Sequence, residues 1–317
     1  MAEPDHGNGA TVGRPSFFGR LMARLRGEGG GPLPGPGEHH PGAVAMTTAE
    51  RAAPLDPLTV RQWLWGPGFI IPGNAEYVLG LVKPFAPNPA MSLLDVAAGL
   101  GGPARAIAGA FDIYITALER DSDLARRGME MSIAAGKQKH APVSAMDPES
   151  FELKSSSFDG ILGRGATYMV QDKERFLRVL MLALKPRGQL LLTEYVVDPP
   201  LAGGSELAVW SSLQPHPPSL WTLQQYVDCL KSLGFDIRIT EDITQDVKHQ
   251  IVLGWDHLVQ TVDIKSLPRQ HKVTVVDEAE RWVKTIAALD TGAVKAYRFY
   301  AMVSAARPPA SAGKKPG

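Results

Sequence analysis

Four acidic residues fall where chemistry can use them: Asp95, Glu119 and Asp147 follow three successive apolar runs, and Asp159 lies at the entry of a fourth. The run before Asp95 breaks into "DVAAGLGGPARA", in which Gly99, Gly101 and Gly102 make a turn free of Cβ obstruction and Pro103 suits the first position of a helix. A ligand can press against such a backbone, and the leading N–H groups of the helix favour an anionic group, phosphate or carboxylate alike. Gly99-x-Gly101-x-x-Ala104 also satisfies a loose dinucleotide fingerprint. Glu119 stands twenty-four residues beyond Asp95, where a carboxylate can take both hydroxyls of an adenosine ribose. These residues leave three readings of the turn: a nicotinamide dinucleotide, a methyl donor without phosphate, or a tight strand–helix turn that holds nothing.

The elements that must position these residues are legible as alternating β-rich and helical stretches. Strand-like runs occupy 92–97, 113–119, 140–146, 158–164, 188–196, 235–243 and 296–305. Helical stretches cover 103–111, 122–136, 173–186, 222–234 and 276–292, the third stopped by Pro186 and Gly188 and the fourth capped by Thr222 and Gly234. Alternation of this kind predicts an α/β fold with a parallel sheet and crossover helices. A long helical region precedes the final run, which can pair antiparallel at the sheet edge. Residues 197–222, rich in Pro and Gly with Trp210 and Trp221, read as an insertion or lid after the fifth strand. The Gly/Pro stretch 27–37 reads as a linker, which gives a flexible tail over 1–46, a folded domain over 47–306 and a second tail over 307–317.

Composition narrows the function. At 317 residues, 44% hydrophobic and 21% charged, an ordinary globular protein is expected. Lys+Arg and Asp+Glu both number 33, so the chain lacks the broad positive field of a non-specific nucleic-acid binder. Cys229 is alone and reads as a structural thiol in a reducing compartment, and no run is long and apolar enough for a membrane span or a secretory signal; a cytoplasmic protein is expected. Residues 14–26 carry apolar side chains at helical spacing among unbalanced arginines, a pattern suited to weak membrane-surface contact or to a frayed tail. His140, His249, His257 and His271 lack metal-ligand spacing, and no metal is expected.

Over about residues 60–305 the chain resembles the class I S-adenosylmethionine-dependent methyltransferases. The segment "DVAAGLGG" is similar to their first motif, with Ala97 where glycine is frequent, and "SFDGIL…ALKPRGQLLLTEY" resembles their fourth strand, helix and fifth strand. The resemblance implies a Rossmann-like seven-stranded sheet, mostly parallel with the last strand inserted antiparallel, helices on both faces, and S-adenosylmethionine as cofactor. It further implies that Asp95 and the Gly99–Gly102 turn lie against the methionine moiety, that Glu119 holds the ribose, and that Asp147 with the backbone near Met146 meets the adenine amine. Arg120 and Arg164 complete the expected donor set. A nicotinamide dehydrogenase would leave Asp147 and the antiparallel strand without a role.

Two short segments speak to the methyl acceptor. "WGPGFIIPGNAEYVLGLV" resembles the segment preceding the fold in small-amine N-methyltransferases acting on sarcosine, dimethylglycine or phosphoethanolamine, and "GRGATYMVQDK" resembles a loop of the phosphoethanolamine enzymes. Where that loop carries Asp and His, this chain has Gly165 and Met169. A small amine is the expected acceptor; a lipid-soluble quinone or polyketide and a non-catalytic donor-binding scaffold are the alternatives. Should a base be needed, Glu194 and His216 are the candidates by position. Trp65, Phe69, Tyr168, Tyr195 and Trp221 are expected to border the acceptor, because aromatic faces attract sulfonium and ammonium charge.

Overall fold

A computed structural model describes residues 53–201 and 203–304; the expected tails and the basic segment 14–26 lie outside the described residues. Seven strands make one sheet: β1 (Ser92–Asp95), β2 (Tyr114–Glu119), β3 (Val143–Ala145), β4 (Phe158–Arg164), β5 (Leu184–Val196), β6 (Phe235–Asp242) and β7 (Lys295–Val303). Their order is β3-β2-β1-β4-β5-β7-β6. The pairs among β1 to β5 are parallel, whereas β7 runs antiparallel to both β5 and β6. The implied seven-stranded sheet with an inserted antiparallel strand is therefore present. Pairing of the last strand at the edge is not, because β7 is buried between two neighbours and β6 is the edge.

The helices are α1 (Pro57–Trp65), α2 (Ala75–Leu81), α3 (Gly102–Phe111), α4 (Ser122–Ala134), α5 (Lys173–Ala183), α6 (Ser205–Ser212), α7 (Leu223–Ser232), α8 (Thr244–Thr261) and α9 (Arg269–Asp290). Side chains that alternate along each strand divide them between two faces. Leu93, Ile115 and Leu191 join one core with α1, α2, α3, α8 and α9. Leu94, Leu190 and Leu192 join the other with α5 and α7. Short-range chemistry fixes the helix starts: Asp56, Asp121 and Asp172 accept backbone N–H bonds at the heads of α1, α4 and α5, and Thr222 with Gln225 forms a capping box on α7.

Three expectations about elements change. Helix α5 stops at Ala183 and β5 begins at Leu184, not at 188, because Leu184 already pairs with Phe158 before a shift of register. Only Val143–Ala145 of the run 140–146 pairs as strand, since it forms the opposite edge of the sheet. The largest difference lies between β6 and β7, where two long helices replace the single stretch 276–292. They close over α1: Trp65 meets Trp282 edge-on at 4.9 Å and 83°, and Arg61 Nη2 pairs with Glu278 at 2.7 Å. At the α1–α8 crossing stands Gly254, where a Cβ would come within 2.5 Å of Trp65 Nε1.

Candidate active site

A cleft of about 410 Å³ opens above the carboxyl ends of β1, β2, β4 and β5. Its floor is made by the residues that follow those strands, and its roof by α1, the loop 68–72, the segment after α6 and the inner side of α9. Gly99 (φ +54°) turns the chain at the end of β1, and a Cβ there would meet Ile70 Cδ1 at 2.9 Å. Gly102 donates its N–H to Gly68 O at 3.1 Å, and a Cβ on it would lie 2.5 Å from that oxygen, so roof and turn are pressed backbone to backbone.

At the β2 end, Glu119 is buried; Oε2 accepts from Gly99 N–H at 2.7 Å and Oε1 from Asp121 N–H at 2.9 Å. Burial raises its pKa against the lowering effect of those bonds. Arg120 reaches across the cleft and donates to Met169 O at 3.3 Å. Arg164, at the tip of β4, donates through Nη2 to Pro72 O at 2.5 Å, while its Nη1 is buried with no hydrogen-bond partner. Buried polar atoms are rarely left unpaired, and an orphaned guanidinium nitrogen in a cleft wall is a place for a ligand oxygen.

At the β5 end, Glu194 binds the loop after β4. Oε1 accepts from Ala166 N–H at 2.9 Å and Thr167 N–H at 3.0 Å, and Oε2 from Tyr168 N–H at 3.2 Å. Its pKa is nevertheless pushed up to about 7, because desolvation outweighs those bonds. Tyr168, Tyr195 and Trp210 form an aromatic wall with centroids 5.1 to 5.7 Å apart, and Tyr168 Oη donates to Gln214 Oε1 at 3.0 Å.

The fold brings most of the expected residues to this cleft. Ala97, Gly99, Glu119, Arg120, Met146 and Arg164 line it at the ends of the first four strands, and Phe69, Tyr168, Tyr195, Glu194 and His216 elsewhere. The others do not reach the wall. Asp95 lies behind the turn, with Oδ1 accepting from Ala97 N–H at 3.1 Å and Oδ2 without a partner. Gly101 is turned toward Val143, whose Cγ2 would sit 2.7 Å from an added Cβ. Asp147 is exposed and spends its carboxylate on Glu149 N–H and Ser150 Oγ, leaving Met146 and Pro148 to line the cleft. Trp65 is packed against Trp282, and Trp221 meets Tyr226 edge-on beside the Lys173 ammonium. Asp159 lies near the start of β4, at the far end of the sheet, where it accepts from Ser92 N–H and pairs with Lys185.

Sequence reading missed Arg61, Tyr77, Gln214, Arg281 and Thr285 on the wall, and it named Trp210 only as part of a lid segment. The i, i+4 spacing of Arg281 and Thr285 puts them on one helix face, but no local signal tells which strands that face meets. Among the described residues no group of three His, Cys, Asp or Glu side chains can hold a metal ion, and no helix is long and apolar enough to cross a membrane.

A family model described as "Methyltransferase domain" matches residues 74–239, more than half of the 317. Phosphoethanolamine N-methyltransferase 2 of Caenorhabditis elegans is 28% identical over 200 residues, 63% of this chain and 45% of that protein. Phosphoethanolamine N-methyltransferase 1 of Arabidopsis thaliana is 28% identical over 183 residues, 57% of this chain and 36% of that protein. The chain thus spans less than half the length of these curated relatives. A solved Haemonchus contortus phosphoethanolamine N-methyltransferase 2, in complex with phosphomonomethylethanolamine and S-adenosylhomocysteine, shares the fold with a TM-score of 0.67 and 21% identity, covering 78% of this chain and 57% of that one. By its sheet order and by the extent of the family match, the chain belongs to the class I S-adenosylmethionine-dependent methyltransferases.

Proposed function

We propose that the chain transfers the methyl group of S-adenosylmethionine to the nitrogen of a small amine. The observation that carries this reading is the polarity of the cleft: the Glu119 carboxylate and the orphaned Arg164 nitrogen mark one side, and the Tyr168, Tyr195 and Trp210 rings the other. The phosphoethanolamine N-methyltransferase relatives support the amine as acceptor. A cleft of about 410 Å³ is within the usual range for a small-molecule site.

The donor supplies an electrophilic methyl on a positively charged sulfur. On this reading Glu119 holds the ribose hydroxyls, Arg164 Nη1 takes a carboxylate oxygen of the methionine moiety, and Ala97 and Gly99 let that moiety approach the backbone. Met146 and Pro148 flank the adenine, while Asp147 holds the bend that presents them. Arg120 covers the base from the opposite loop. The aromatic wall favours positive charge near the reacting centre, and much of the catalysis comes from holding nucleophile and methyl in line.

Glu194 is a positioning residue here, since three backbone N–H groups occupy its oxygens and fix Tyr168 in the wall. His216 stands exposed at the mouth. Gly165 and Met169 offer no acid–base pair, so the amine enters as its free base. The rate constant kcat/KM should then climb with pH toward the amine's own pKa. A break near pH 7 that disappears in Glu194→Gln would instead make Glu194 the base. The cytoplasm is the proposed location, in keeping with the single Cys229, whose thiol burial pushes up to about 11 and out of the reactive range.

Incubation with methyl-labelled donor and a panel of small amines tests the assignment; labelled N-methyl product is expected, and label confined to oxygen or carbon acceptors would refute it. Glu119→Ala should weaken S-adenosylhomocysteine binding by about 1–3 kcal/mol through lost charge-assisted bonds. Unchanged affinity by calorimetry would take Glu119 out of the ribose site.

A further inference from the structure

Glu278 of α9 has its carboxylate fully engaged. It accepts three bonds from Arg61, at 2.7 to 3.2 Å, and a fourth from Trp282 Nε1 at 3.2 Å. Three residues further along the helix, Arg281 lies on the cleft wall and has no such partner. Its backbone carbonyl accepts from Thr285 Oγ1 at 2.9 Å, but among the described residues its guanidinium forms no hydrogen bond or ion pair, and the ring of the adjacent Trp282 lies 6.0 Å from its guanidinium carbon. The groups that act on it electrostatically are Arg61, Glu278 and the phenols of Tyr168 and Tyr195. Two guanidinium groups therefore share one carboxylate that is already taken, and one positive charge is left over in a half-buried, aromatic setting. Burial lowers its pKa, which expresses the same lack of compensation. The Tyr195 hydroxyl beside it likewise makes no hydrogen bond among the described residues. A desolvated charge without a protein partner is a cost unless a ligand supplies the counter-charge, and the planar guanidinium fork matches the oxygens of a phosphate or carboxylate.

We infer that Arg281 is the anion-binding residue of the acceptor site, so that the amine methylated here carries an acidic group, phosphate or carboxylate, which docks on Arg281 beside Tyr195. This rests on the amine reading above and narrows it: α9, in the insertion between β6 and β7, selects the acceptor, while the strand ends hold the donor.

The test uses the full chain saturated with S-adenosylhomocysteine and titrated calorimetrically with two matched pairs, phosphoethanolamine against ethanolamine and glycine against glycinamide. In at least one pair the acidic member should bind about 10- to 100-fold more tightly, the span expected for hydrogen bonds to a charged group. The pair that shows the preference identifies the anion. Arg281→Met should abolish the preference without changing S-adenosylhomocysteine affinity, and Arg281→Lys should retain part of it. Equal binding within both pairs, absence of binding by either acidic probe, or a preference that survives Arg281→Met each overturn the proposal. Methyl transfer to the same four compounds separates the two readings. An Arg281-dependent binding preference without N-methylation leaves the anion site standing and removes the amine reaction, whereas methylation of both members of each pair with equal KM removes the anion site alone.

Discussion

Asp95 and Glu194 show how differently two buried carboxyls can be used. Both are pushed up to about 7 by burial, but Glu194 is tied to three backbone N–H groups while one Asp95 oxygen has no partner. The Asp95 carboxyl has an ordinary value near 3.8, so the neutral form is the one that folding favours. Its contribution to stability is complete below about pH 4 and is lost as pH rises through about 7. Asp95→Asn keeps an oxygen for Ala97 N–H and removes the titration. The melting temperature of the wild type should therefore fall relative to that of Asp95→Asn between about pH 4 and 7 and level off above, read by thermal shift without donor; parallel curves would show that Asp95 titrates at its ordinary value.

The elements decide how the cleft is roofed. Helix α1 is clamped to α9 by the Arg61–Glu278 pair and crosses α8 at Gly254, where no side chain fits under Trp65. Gly254→Ala sets two effects against each other. Alanine favours a helix interior by roughly 1 kcal/mol over glycine, whereas forcing a methyl into a packed contact costs about 1–3 kcal/mol. A 2.5 Å approach to an indole held by Trp282 puts the second effect ahead. The variant should lose up to about 2 kcal/mol in urea unfolding, and a gain in stability would mean that the two helices do not touch there.

At the scale of the whole molecule, the Gly/Pro stretch 27–37 reads as a linker that sets the leading segment apart from the domain expected over 47–306. Deletion of residues 1–45 is thus expected to leave both S-adenosylhomocysteine affinity and melting temperature unchanged within error. A loss of either would make the leading segment part of the folded unit. The two ends of the cleft also differ in origin. The proposed donor side is assembled from the tips of β1, β2 and β4, and the proposed acceptor side from α1, the segment after α6 and α9, which are remote from one another along the chain.

That difference in origin explains what could be read from residue order. The strands, the glycine turn after Asp95 and the acid closing β2 are local features: a period of two, small residues at a sharp bend and a fixed spacing carry them, and the family resemblance placed the antiparallel last strand. Hence Gly99 and Glu119, which line the cleft, are legible from turn and spacing, while Ala97, Met146 and Arg164, which also line it, come from the resemblance. The same local signals could not tell a residue on the wall from one just behind it, as with Asp95, Gly101 and Asp147, because one peptide unit decides which way a side chain points. Trp65 and Trp221 were drawn into packing by partners elsewhere in the chain, Trp282 and Tyr226. Arg61 and Arg281 were invisible as a pair, being 220 positions apart, and only the closure of α1 over α9 brings them to one carboxylate. Local sequence thus determined the sheet and the donor turn, while the tertiary structure alone decided where an unpaired positive charge faces the cleft, since charge balance depends on which surfaces meet.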